Sequence, residues 1–235
     1  MSDNDDKVLD ELAAAPPPAP PPMSAELQAE LGSLTPVAPR RPLRQLAIVV
    51  AVSLLYGAGL IAALSMRRDM DELPMGWLVA TAIAWLVGFA LPCYLALVPR
   101  KGSMMPRTRW AAASAIVASI AFIALGLTVH PHGPSSLDYS QQFAHGHWCL
   151  EIGLATALVP VIAGAVFLRG ALPVGSRWIA AALGAGGGCL GGLVLHLHCR
   201  IADRWHVGLI HGGVVLVAAL LSAALVPRAT DRPLT

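Results

Sequence analysis

Six apolar runs, each close to twenty residues long, leave this chain few ways to fold. They are Leu46–Ser65, Trp77–Val98, Trp110–Val129, Leu150–Leu168, Trp178–Leu197 and Val207–Val226. Each matches the roughly 20 residues a helix needs to cross a bilayer. Unpaired backbone amides are too costly in lipid for anything but helices or closed barrels. Alternating ten-residue strands are absent from the sequence, so the expected fold is all-α: a polytopic integral membrane protein of six transmembrane helices. Only 13% of the 235 residues are charged, against roughly a quarter in a soluble domain. The first run follows about 45 mostly polar residues and precedes Met66-Arg67-Arg68. It lacks the small-residue cleavage pattern of a signal peptide. The chain therefore divides into a tail at 1–45, a membrane domain at 46–226 and a short C-terminal tail at 227–235.

Orientation follows from arginine and lysine. With the N-terminus placed in the cytoplasm, the inner segments hold twelve basic residues: Lys7, Arg40, Arg41, Arg44, Arg100, Lys101, Arg107, Arg109, Arg169, Arg177, Arg228 and Arg232. The outer loops hold four, Arg67, Arg68, Arg200 and Arg204. The positive-inside rule then places both termini in the cytoplasm. The net charge of +2 is small and its basic residues are scattered, which argues against direct contact with nucleic acid.

The tail is acidic and split by proline. The run from Pro16 to Pro22 reads as an extended polyproline II spacer. Before it, Val8, Leu9 and Leu12 form one apolar edge, with Asp10 and Glu11 facing away. After it, Leu27, Leu31 and Leu34 form another at helical spacing, with Ser24 as the expected N-cap. Helices this short are marginal alone. The tail is thus either a disordered leader or a segment that folds into a partner's groove, leucines inward and carboxylates outward. The second reading makes Val8, Leu9, Leu12, Leu27, Leu31 and Leu34 the partner-binding residues, with a basic surface as their target.

Within the membrane runs, Gly184, Gly188 and Gly192 recur every four residues, a smooth stripe for close helix approach. Cys93 and Cys189 lie inside runs, where a thiol behaves as a small apolar residue. No run carries a charge at its centre. Transporters, pumps and intramembrane proteases need ionisable groups at that depth, so the pattern argues against them. Glu151, at the outer start of the fourth run, is expected to serve the helix N-terminus.

All eight histidines lie between His130 and His211, in or beside two outer loops that also hold Cys149 and Cys199. Imidazole and thiolate are ligands of choice for zinc or copper. The expected metal set is His130, His132, His145, His147, His196, His198 and Cys199; His196 and Cys199, three apart, could share a helix face. No C-x-x-C is present, so the spacing matches no strong zinc signature. Cys149 and Cys199, both at outer ends of runs, could face each other as a disulfide or reactive pair in an oxidising compartment. Disulfide, thiol pair and metal ligation stay open at this point.

Three stretches resemble one known family. Cys149-Leu-Glu-Ile, Leu168-Arg-Gly-Ala-Leu-Pro173 and the glycine-rich fifth run closing on Leu197-His198-Cys199 are similar to NrsF-type negative regulators of sigma F. Glu30-Leu31-Gly-Ser-Leu34-Thr-Pro36-Val37-Ala-Pro39-Arg-Arg resembles that family's cytoplasmic leader. The resemblance implies a six-span inner-membrane anti-sigma factor that holds an extracytoplasmic-function sigma factor until an outside stress releases it. It also implies that the family's outer cysteine pair, linked to the signal, corresponds to Cys149 and Cys199. The additional His130, His132, His145 and His147 and the long proline-split tail depart from that pattern.

The expected function is therefore a membrane anti-sigma factor without enzymatic activity. Its tail sequesters the sigma factor, and its outer His/Cys face receives a metal, redox, light or singlet-oxygen stimulus. The main alternative is a metal-binding permease or metal-homeostasis protein using the same cluster. A third is a quinone-coupled thiol oxidoreductase built on Cys149 and Cys199.

Overall fold

Prolines mark where the membrane helices begin, a few residues ahead of the apolar runs themselves. In a computed structural model, residues 7, 23–33, 41–99, 106–129, 139–169 and 176–230 are described. Helix α2 (Pro42–Leu64) has proline in its first turn, and Pro74 and Pro106 immediately precede α3 (Met75–Leu97) and α4 (Arg107–Thr128). Proline's fixed φ suits a helix entry, where its missing N–H would have no partner in any case. The basic residues Arg44, Arg107 and Arg109 consequently sit inside first turns, not before them. The remaining elements are α5 (Tyr139–Leu168), α6 (Ser176–His198), a π-helical turn (His206–His211) and α7 (Gly212–Thr230). Six segments are long and apolar enough to cross a membrane, and no strand occurs among the described residues.

The chain forms two units, Met1–Arg40 and Arg41–Thr235. The described helix of the first is α1 (Ala25–Ser33). Its N-terminus is closed as the sequence suggests: the Leu27 N–H donates to Ser24 Oγ at 3.2 Å, satisfying one of the donors a helix start leaves unpaired. Leu27 is exposed, and Leu31 lies on the same helix. Val8, Leu9, Leu12 and Leu34 lie outside the described residues.

In the second unit, α6 is enclosed by the other helices, with 94% of its membrane window buried. Its glycines make this possible, on several sides at once. A Cβ on Gly184 or Gly188 would fall on Ala218, Ser222 or Val215 of α7; one on Gly187 or Gly191 would fall on α5 at Ala157 or Gly153. Gly192, expected to continue the stripe of Gly184 and Gly188, faces the Trp85 ring of α3 instead. Four residues overshoot a full turn by about 40°, so eight carry the third glycine about 80° around the helix. The stripe thus serves two neighbours. Trp85 in turn stacks on Phe122 of α4, with ring centroids 3.9 Å apart. Two buried hydroxyls in the spans bond back along their own helices, Ser119 to Ala115 O and Thr156 to Ile152 O.

Candidate functional site

About three turns into α5 and at the end of α6, four residues from three segments converge. Cys149 lies in α5, Cys199 directly follows α6, and His206 and His211 bracket the π-turn that leads into α7. All four are buried, and their ligating atoms lie within 4.8 Å of one another. Cys149 Sγ is 3.7 Å from Cys199 Sγ, and Cys199 Sγ is 3.5 Å from His206 Nε2. The His206 and His211 rings meet edge to face, 5.0 Å between centroids. Leu195, Val214, Ile201 and Ile210 pack around the sulfurs, which makes the surroundings apolar.

The π-turn creates the histidine pair. Along an α-helix, residues five apart diverge by about 140°, and His206 and His211 would face different neighbours. A π-turn bonds i to i+5, here with the Gly212 N–H donating to Val207 O, and so stacks the two rings on one side. Glycine allows the turn to lie flat against α4. A Cβ on Gly126 would meet the Gly208 backbone, and one on Gly212 would meet the backbone of Phe122 and Ile123. Asp203 fixes the entry: its Oδ1 accepts from the Trp205 N–H at 2.9 Å and from the His206 N–H at 3.4 Å.

Cys199 is held from below by an arginine that sequence reading counted only as a topological charge. Arg67 is buried, and its guanidinium donates to both oxygens of Asp69, at 2.8 and 2.7 Å. It also donates to the carbonyls of His196 at 3.3 Å and Arg200 at 3.4 Å, while its backbone N–H donates to Leu197 O at 2.9 Å. Carbonyls at a helix C-terminus lack intrahelical partners, and a cation there is favoured by the dipole. Arg67 supplies both and pins the chain on either side of Cys199.

The Cys149 thiol, donating toward Cys199, holds the Cys199 sulfur below the usual thiol range. Burial pushes it up and is outweighed, with His206 and His211 adding to the lowering.

The other expected ligands are placed elsewhere. His196 Nε2 lies 3.3 Å from Leu78 O, and its ring meets Trp77 edge-on at 4.9 Å. His196 and Cys199 therefore do not act together, despite their three-residue spacing. His198 Nδ1 lies 2.8 Å from the carbonyl of Ser65, a residue whose positive φ of 64° turns that carbonyl away from its own helix. His147 is exposed beside Trp148. His145 lies on α5, and His130 and His132 lie outside the described residues. Of the expected metal set, Cys199 enters the cluster; its partners are Cys149, read from sequence as a sensing thiol, and His206 and His211, not assigned as ligands. The signal that could have found the histidines is their five-residue spacing beside two glycines, which fits a π-turn and not an α-helix.

Among known protein families, the one described as negative regulator of sigma F, NrsF, matches residues 32–230 of the chain. Curated proteins and solved structures gave no match.

Proposed function

Because the chain belongs to the NrsF family of negative regulators of sigma F, we propose that it is an anti-sigma factor of the bacterial inner membrane. Its tail holds an extracytoplasmic-function sigma factor, and a change at the Cys149–Cys199–His206–His211 face releases it. The observation that carries this reading is the match over residues 32–230, which takes in all six membrane-length helices. Both termini are cytoplasmic in this reading, on the strength of the arginine count, which places the cysteine cluster outside. The protein acts by binding, not by catalysis.

The match begins at Gly32, so the role of Val8, Leu9, Leu12, Leu27 and Leu31, which precede it, is argued from this chain's own residues. Helix α1 supports it. Nine residues are too few to persist alone in water, yet the segment carries a formed cap and presents Leu27 with Met23 exposed. Glu26 and Glu30 share that helix. An apolar edge flanked by carboxylates suits the basic groove of a protein that otherwise binds DNA.

Exchanging Leu27→Asp together with Leu31→Asp in the full-length protein tests the tail. Fully burying two leucines is worth about 3–6 kcal/mol, so affinity for the sigma factor should fall at least a hundredfold. A sigma-dependent reporter should turn on while the amount of regulator in the membrane stays the same. Unchanged repression by this double variant would exclude the tail as the binding element.

A further inference from the structure

We propose that Cys149, Cys199, His206 and His211 form a closed four-ligand site for a divalent cation of the zinc class, clamping α5, α6 and the π-turn together. The distances fit before any ion is considered. Zinc–sulfur bonds of about 2.3 Å and zinc–nitrogen bonds of about 2.0–2.1 Å, set tetrahedrally, separate two sulfurs by about 3.8 Å and a sulfur from a nitrogen by about 3.5–3.6 Å. The protein holds Cys149 and Cys199 sulfurs at 3.7 Å and the Cys199 sulfur and His206 Nε2 at 3.5 Å.

Charge selects the class of ion. Two thiolates and two neutral imidazoles cancel the two charges of a divalent cation, leaving no net charge in an apolar pocket, where an unbalanced one is expensive. Binding would release to water the protons that the two sulfurs still hold. A monovalent ion on the same ligands would leave one buried negative charge. Four protein ligands also complete a tetrahedron and leave no open position, the mark of a structural and not a catalytic site.

Two further observations are independent of these distances. His211 Nε2 is buried without a hydrogen-bond partner among the described residues. A buried ring nitrogen left without a partner is costly, so packing alone does not account for the His211 imidazole here. The backbone, moreover, departs from α-geometry over just the segment that brings the two rings together, and π-turns concentrate at functional sites.

This inference names the input of the proposed regulator. It rests on that reading only for its consequence, that occupancy sets whether the sigma factor is held. The site itself is tested on full-length protein purified reduced in detergent and titrated with Co²⁺ alone, then with Zn²⁺. One Co²⁺ per chain should bind with a thiolate-to-cobalt charge-transfer band, and Zn²⁺ should displace it. Zn²⁺ should also slow alkylation of Cys149 and Cys199 in the unmodified protein by at least tenfold, a readout that needs no variant to fold. His206→Gln and His211→Gln should each weaken Co²⁺ at least tenfold, while His196→Gln and His198→Gln keep it. Cys199→His, which retains four ligands, should still bind Co²⁺ with a weaker charge-transfer band. Absence of that band, binding indifferent to His206→Gln and His211→Gln, or recovery of a Cys149–Cys199 disulfide that excess Zn²⁺ does not prevent would each overturn the site. The regulatory reading fails separately: a site that binds as described, in a protein whose cluster variants repress and release like the unmodified one, removes the input and leaves the metal centre.

Discussion

Helices α2 and α6 are both 23 residues long, yet they occupy opposite situations. The first has a mean hydropathy of 2.4 and only 17% of its window buried; the second has 1.7 and 94%. In water the more apolar helix would be the one inside. In a bilayer the lipid is as apolar as leucine, and association rests on close packing. Leu55 and Val52 of α2 are exposed, free to meet acyl chains, while the glycines and alanines of α6 let five neighbours approach its backbone. Size, not hydropathy, sorts the two.

The sharpest way to break that comparison is to enlarge one small residue in each helix. Gly188→Leu would place its Cβ on the backbone of Val215, whereas the Cβ of Gly59→Leu in α2 meets nothing within 4 Å. Overpacking costs about 1–3 kcal/mol where side chains can yield, and here a backbone would have to move. The α6 variant should fail to accumulate in membranes, and the α2 variant should accumulate normally by quantitative immunoblot. Equal levels would remove α6 from the centre of the bundle.

Shortening side chains should give the converse, smaller pattern. Trp85→Ala removes the ring that fills the space at Gly192 and stacks on Phe122, at a cost of about 3–5 kcal/mol. Leu55→Ala should stay within about 0.5 kcal/mol. Thermal aggregation in detergent, compared at one protein concentration, would show the difference.

The smallest of these effects concerns the loop that joins the first spans to the end of α6. Arg67→Met deprives the carbonyls of His196 and Arg200 of a donor and Asp69 of its ion pair, a loss of about 1–3 kcal/mol. It should loosen the segment around Cys199 more than the bundle. Hydrogen exchange at Leu197–Ala202 should rise while that of Leu183–Leu190 holds. A uniform rise along α6 would make Arg67 a general support of the fold.

The tail and the cluster differ in how far sequence reading reaches them. The Ser24 cap was legible because an N-cap acts within three residues, and its hydrogen bond is present. The cysteine pair was legible because both residues stand where apolar runs meet polar loops on one side. His206 and His211 were not assigned to the site, since helical periodicity sends them apart, and only the π-turn against Gly126 of α4 reunites them. His196 pointed the other way. Its spacing to Cys199 suggests one face, but the start of α3 offers its ring a carbonyl and an indole that sequence cannot place.

By itself the sequence determined six membrane-length helices, the helix cap in the tail and the family, because each depends on local composition or on residues close together along the chain. Only the tertiary structure decided which helix lies at the centre, which neighbour each glycine meets, that Arg67 braces the end of α6, and which histidines among the described residues join the cysteines. Those outcomes depend on how helices rotate against one another. Rotation is set by the fit of side chains from segments as much as 133 residues apart, and that fit has no signature in any single stretch of sequence.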